Sequence, residues 1–289
     1  MNLSFKVSNW KILANIEDGG RICSLEHNGF NFLTPAPKKF KEPSIFLGEY
    51  EKRPVYGYDD CFPSVVSCKL PGFDFEVADH GNLCWNKWNI YSSHNSLIFS
   101  TSIKELKLKF NRKLIFNNNH IIWKYQIINN NSKDLPYIHA PHPLMPTMNV
   151  KNLYLPNFKK IYDIQKQYLK PLPNSANELA KLLVNSDKNS VFMLYLIGID
   201  KKEIVIEFKN DIKLKINFDH EDFTTLAIWW NRLAYPDEDG IRRDEFAIEP
   251  LTGYNSSLIE SMKNDDYRIV KANSSKEWEI KWEVLKYNL

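Results

Sequence analysis

Short apolar runs alternate with lysines, asparagines and glycine-containing turns along most of the chain, and their period is two rather than 3.6. Near the N-terminus Phe5-Lys6-Val7, Trp10-Lys11-Ile12-Leu13 and Ile22-Cys23-Ser24-Leu25 are separated by Asp18-Gly19-Gly20 and Asn28-Gly29, which reads as strands punctuated by tight turns. Residues 97–129 carry LIFSTSIKELKLKF, RKLIF and HIIWKYQII, with the asparagines 117–119 as the hairpin turn. Ile103, Leu106, Leu108 and Phe110 set against lysines predict a sheet with one wet face. Beyond residue 191 the strand-like text resumes with VFMLYLIGI, EIVIEF, IKLKINF, TLAIWW and WEIKWEVLKY. Helical spacing is confined to 174–184, which opens with a capping pattern, and to 252–263. No internal repeat, low-complexity tract or linker interrupts the pattern. The expectation is an all-β, mainly antiparallel domain covering 1–289, with one or two short helices.

Several stretches break the alternation and attract the chemistry. Residues 35–54 are irregular and charged, a surface loop suited to a lid or rim. Tyr56-Gly57-Tyr58-Asp59-Asp60-Cys61-Phe62-Pro63 and Asp79-His80-Gly81-Asn82-Leu83-Cys84-Trp85, with Trp88 beyond, combine aromatics, acids and glycine. PYIHAPHPLMP, 136–146, holds four prolines and two histidines, the composition of a shaped loop or a strand edge. Ala247-Ile248-Glu249-Pro250 reads as a strand that runs out at proline, which would leave the Glu249 carboxylate at a sheet rim. Upstream, Leu226-Ala227-Ile228-Trp229-Trp230-Asn231 ends in two indoles and an amide, a mixture that suits the apolar faces and hydroxyls of a sugar ring. Adjacent strand residues point to opposite faces, so one of Trp229 and Trp230 at most can line a given surface.

Composition narrows the function classes. Thirty-eight basic residues against 35 acidic give a net charge of +3, and the lysines are scattered rather than massed, so neither nucleic acid nor a membrane surface is expected as partner. Cys23, Cys61, Cys68 and Cys84 form no CxxC pair or zinc-knuckle spacing and read as reduced thiols. The start MNLSFKVSNWK shows no signal-peptide pattern, and the longest apolar run, 191–199, is far below the roughly 18 residues of a membrane span; a cytoplasmic protein is expected. No HxH, HExxH, Gly-rich phosphate loop or GxSxG elbow is present.

Flanking prolines restrict His142 to a narrow range of directions, which fits a general acid as well as an ordinary loop hydrogen bond, and His139 is its local competitor. His80 precedes a glycine that permits close approach of a ligand or of another backbone. Asp59 and Asp60 suit hydroxyl binding or a turn. Arg242-Arg243-Asp244-Glu245 is a solvated loop unless it faces a cleft, where it would attract phosphate or carboxylate.

In this order, Gly19-Gly20-Arg21-Ile22 with Leu25 and Gly29, Gly57 to Pro63, Asp79-His80-Gly81 with Trp85 and Trp88, His142-Pro143, the WWN run, and Glu249-Pro250 with Thr252-Gly253 resemble the aldose 1-epimerase, or galactose mutarotase-like, family. The resemblance implies a β-supersandwich with a sugar groove on a broad sheet face. It also implies Glu249 as general base, His142 as general acid and His80 as a ring contact, with no cofactor and no metal. Asp79, Asp60, Arg53, Trp229, Trp230 and Asn231 complete the expected substrate-binding set. Arg53, within Glu51-Lys52-Arg53-Pro54, stands where galactose mutarotases carry an Asn-Arg pair, which marks a divergent branch. The expected partner is a small sugar or sugar phosphate and the expected state a monomer or homodimer. Two alternatives accompany this: a hexose-phosphate epimerase using Arg242, Arg243 or Arg53, and an inactive carbohydrate-binding or sensing protein.

Overall fold

A computed structural model describes residues 2–37, 50, 53–166, 171–218, 220–236 and 242–285; most of the 35–54 loop, including Glu51 and Lys52, lies outside these. Antiparallel strands dominate. The largest sheet has eight strands in the order Val150–Tyr154, Glu203–Phe208, Lys213–Asn217, Ser274–Leu285, His120–Asn129, Leu108–Phe116, Ser96–Ile103 and Asn89–Ser93. Along Leu108–Phe116 every second residue is buried, and its partners Trp123, Tyr125 and Ile127 are buried with it. That is the one-wet-face pattern of the lysine-rich segments. The 97–110 text is two strands rather than one, because Lys107 takes a positive φ of 50° and closes a turn in which the Leu106 N–H donates to the Ile103 carbonyl at 3.2 Å.

Two further sheets face this layer. One joins Asn2–Val7, Trp10–Asn15, Arg21–His27, Tyr58–Cys61 and Ala140–Pro143; the other joins Met145–Pro146, Arg242–Leu251, Thr225–Pro236, Ser190–Ile197 and Lys160–Asp163. The chain steps from the first to the second at Leu144, so the proline-rich segment is a paired edge in both. Aromatic contacts tie the layers: Tyr58 meets Trp123 with centroids 4.6 Å apart, Phe62 meets Phe110 at 5.4 Å and Tyr137 stacks on Trp278 at 5.9 Å. The expected all-β, layered antiparallel architecture is what the chain adopts.

The helices are short. Helix α1, Ala176–Val184, is capped by Ser175, whose hydroxyl accepts the Glu178 N–H at 3.3 Å. Helix α2 covers Leu258–Lys263 alone, shorter than the expected 252–263. Its upstream residues are held in a turn instead, in which Gly253 packs so tightly that a Cβ would stand 2.4 Å from Ile138 Cγ2.

Gly81 has φ +76°, and a Cβ there would lie 2.3 Å from the Phe62 carbonyl oxygen and 2.5 Å from its nitrogen. Backbone cannot yield as a side chain does, so Gly81→Ala is expected to cost about 2–4 kcal/mol, read as a lowered urea midpoint.

Candidate active site

Glu249 does not sit where the strand runs out. Arg242–Leu251 continues through Pro250, which pairs with Leu226, and Glu249 pairs with Ala227 inside the sheet. Proline is accommodated because the strand's other neighbour, Met145–Pro146, pairs only with Phe246 and Glu245, leaving no ladder bond to lose beside Pro250. Glu249 is therefore buried on a sheet face, and it opens into a cleft of about 200 Å³. Lining that cleft with it are His142, His80, Asp79, Tyr50, Trp229 and Tyr195.

Strand pairing sets His142. It registers with Asp59, so both project to the same side. The His142 Nδ1–H donates to Asp59 Oδ1 at 3.0 Å, and the other carboxylate oxygen accepts from the Tyr50 hydroxyl at 2.7 Å and from Arg21 Nη2 at 2.9 Å. With Nδ1 engaged, Nε2 is the nitrogen left for a ligand. Burial alone would raise the Asp59 pKa, but Arg21 and then the His142 hydrogen bond outweigh it and hold the carboxyl well below its usual range. An acceptor-only carboxylate fixes the proton on Nδ1. Burial would lower the His142 pKa, but the Asp59 hydrogen bond and the charges of Glu249 and Asp59 raise it overall. Glu249 is raised as well, chiefly by burial, against the pull of His142 and His80. Among the described residues no hydrogen bond to the Glu249 carboxylate is found.

His80 takes the left-handed conformation, φ 59°, directly before Gly81. Its Nδ1 lies 3.0 Å from Asp79 Oδ1, and its ring stacks on Tyr50 at 3.9 Å and stands 5.4 Å from the His142 ring. Asp79 Oδ2 also accepts the Tyr50 N–H at 2.8 Å. Two histidines, each tied to an aspartate through Nδ1, thus face one space.

Alternation separates the two indoles. Trp229, between Ala247 and Met193, lines the cleft, whereas Trp230 packs in the core on Phe246 with centroids 4.9 Å apart. Alternation also separates the two aspartates. Asp60 points inward, where Arg112 Nη1 at 2.6 Å and His139 Nε2 at 3.0 Å hold it. His139 is itself enclosed by Tyr125 and Trp278, so His142, not His139, reaches the cleft. Arg53 is drawn beneath the site, pairing with Asp18 and donating to the Cys84 carbonyl. Asn231 shares the open face by register, but its Oδ1 accepts the N–H groups of Ala234 and Tyr235 at 3.0 Å, holding a turn. Asp60, Arg53, Trp230 and Asn231 thus do not line the cleft. Sequence reasoning missed Tyr50, Tyr195, Met193 and the clamping role of Asp59; the strand alternation through Tyr58-Asp59-Asp60 was the one available signal. Arg243 reaches the cleft too, 3.3 Å from Glu245 Oε1, while Arg242 is turned to Asn189.

No protein-family model matches the chain, and no curated protein sequence matches it. Solved structures do. Slr1438 from Synechocystis sp. PCC 6803 superposes with TM-score 0.73 at 14% identity, covering 98% of this chain and 95% of that one. A provisionally assigned aldose 1-epimerase from Escherichia coli K12 gives 0.74 at 13% identity, covering 99% of each chain. A galactose mutarotase-like protein from Lactobacillus casei gives 0.66 at 15%, covering 99% of this chain and 100% of that one. Over essentially its whole length, the chain has the fold of the galactose mutarotase-like proteins.

Proposed function

We propose that the protein is an aldose 1-epimerase, interconverting the α and β anomers of a free aldose by acid–base ring opening and closure. The observation that carries this reading is the pairing, across one sugar-sized cleft, of an unengaged carboxylate, Glu249, with an imidazole whose Nδ1 is clamped to Asp59. Ring opening removes a proton from the anomeric hydroxyl while another is delivered to the ring oxygen. Glu249 accepts the hydroxyl proton as C1–O1 becomes a carbonyl; the C1–O5 bond breaks, and His142 Nε2 gives its proton to O5. The open aldehyde turns about C1–C2. Closure on its other face returns the Glu249 proton to O1 and the O5 proton to His142. Trp229 offers an apolar face to the ring, and His80 and Asp79 supply polar contacts at its edge.

The raised pKa values suit these roles. Glu249 must be ionised, so activity falls as pH drops through a value above the ordinary carboxylate; His142 must be protonated, so activity falls as pH rises through a value above the ordinary imidazole. A bell is expected with its acid limb above about 4.3 and its alkaline limb above about 6.5.

A sugar phosphate is less favoured than a free aldose. Arg243 is the one of the three expected arginines that lines the cleft, and Glu245 stands beside it, so the phosphate would meet an already compensated cation in a cleft lined by two further carboxylates, Glu249 and Asp79. Polarimetric anomer exchange over common aldoses, with hexose phosphates as competitors, tests both points. Acceleration of free aldoses with weak phosphate competition supports the reading; acceleration confined to phosphates replaces the substrate class; saturable sugar binding without acceleration identifies a binding protein instead.

A further inference from the structure

Glu249 belongs to a row that crosses the open face of its sheet. It registers with Ala227, Ala227 with Tyr195, and Tyr195 with Tyr162 on the edge strand Lys160–Asp163. Directly paired residues share a face, and neighbouring strands are about 4.8 Å apart, so the row runs about 14 Å from the carboxylate to the sheet edge. A second row lies alongside: Ala247 registers with Trp229 and Trp229 with Met193, beyond which the Ile164 N–H donates to the Met193 carbonyl at 3.0 Å. The alanines keep the floor low near Glu249. Met193, Ile164 and Gln165 line the same cleft as Glu249.

The outer end of this face is exposed and amphipathic. Ile164 is 55% and Tyr162 40% exposed, and Val66, which lines the same cleft as Ile164, is 47% exposed. The Tyr254 hydroxyl donates to the Tyr162 hydroxyl at 3.0 Å, with the two rings 6.1 Å apart. A single pyranose placed between Glu249 and His142 would cover Ala227 and reach Tyr195, whereas Tyr162 lies one strand further out, with Ile164 just beyond the end of its strand. Carbon–hydrogen surface, phenolic hydroxyls and an amide gathered there offer the same mixture that the inner cleft offers a sugar.

We propose that this outer face is a second sugar subsite, and that the substrate is the reducing end of a disaccharide or longer oligosaccharide. The reducing sugar occupies the Glu249–His142 cleft, and the next sugar lies over Met193 and Ile164 against the Tyr162 ring. The proposal rests on the epimerase reading for its orientation, since the reacting anomeric carbon must face Glu249. Continuity with the cleft favours a sugar chain over a protein partner, which would need an apolar patch of its own away from the catalytic groups.

The test is binding of glucose, maltose and cellobiose to the wild-type protein and to Glu249→Gln, measured by calorimetry, with anomer exchange followed on the same sugars. At least one disaccharide should bind about tenfold more tightly than glucose in both proteins, the size of one good aromatic contact. Tyr162→Ala should abolish that gain and leave glucose affinity and glucose exchange unchanged, and Tyr162→Trp should keep it. Equal affinity for glucose and both disaccharides overturns the subsite, as does a Tyr162→Ala variant that weakens glucose and disaccharide alike. Disaccharide-selective binding without exchange of any sugar supports the subsite and removes the epimerase reading; exchange without disaccharide preference does the reverse.

Discussion

Glu249→Gln should slow anomer exchange by about 10²- to 10⁴-fold while largely sparing sugar binding, because a positioned acid or base contributes that much to rate. Glutamine keeps the shape of the side chain but cannot take the anomeric proton. No hydrogen bond among the described residues depends on the carboxylate, and Glu249 is held in its strand by backbone pairing to the Ala227 strand. The variant should therefore fold, with a thermal midpoint at or above that of the parent, since a buried ionisable group is replaced by a neutral one. His142→Asn should lose a similar factor. The double variant should be far less than multiplicatively worse, because both groups act in one concerted event. Wild-type exchange by folded Glu249→Gln would remove it from the reaction.

Asp59→Asn should be the most damaging single change to the site as a whole. The Asp59 carboxylate is fully buried and holds Arg21, Tyr50 and His142 together. Arg21 keeps Asp18 at 2.8 Å and the Tyr56 carbonyl, yet loses one of its two buried counter-charges. Truncating one partner of a buried pair costs about 3–5 kcal/mol. Because the folded-state pKa of Asp59 is depressed, its contribution is present above the unfolded value of about 3.9 and is lost as pH falls through the folded value. The stability gap between wild type and Asp59→Asn, from urea unfolding, should accordingly be wide at pH 7 and narrow in strong acid. The same substitution removes the negative charge and leaves at most a neutral, weaker acceptor for the His142 Nδ1–H, so the alkaline limb of exchange should move to lower pH. Asp59→Glu, which keeps the charge, should leave that limb near its original place. A gap independent of pH would mean that the carboxylate is not the stabilising form.

How much of this was legible beforehand depended on what each signal encodes. Period-two alternation specifies strands and wet faces, and the layered β architecture followed from it. It does not say which face of a strand is inside until the partners are known, and that is why Trp229 and Trp230 stood level. Register with Met193 and Ala247 separates them. The same limit applied to Asp59 and Asp60: adjacent carboxylates must diverge, and Arg112 within the core decides which one turns in. Proline spacing singled out Glu249 and His142, which the fold brings to one cleft, but misjudged the rim, because a proline ends a strand only where its missing N–H would have been needed. Arg53 lies near the cleft in sequence order, but Asp18, brought in by the turn before Arg21, draws it underneath. Tyr50 stands in text without periodicity, and no local pattern connects it to Asp59.

The central claim is that Glu249 and His142 together open a sugar ring, and the pH dependence of wild-type anomer exchange tests it most directly. Exchange rates of an aldose kept well below saturation, which report the ionisations of the free protein, measured by NMR magnetisation transfer from pH 4 to pH 10, should trace a bell whose acid limb lies above about 4.3 and whose alkaline limb lies above about 6.5. The alkaline limb should vanish or move in His142→Asn and the acid limb in Glu249→Gln. A folded, sugar-binding protein that does not accelerate exchange at any pH, or a bell that survives unchanged in both variants, would contradict the account.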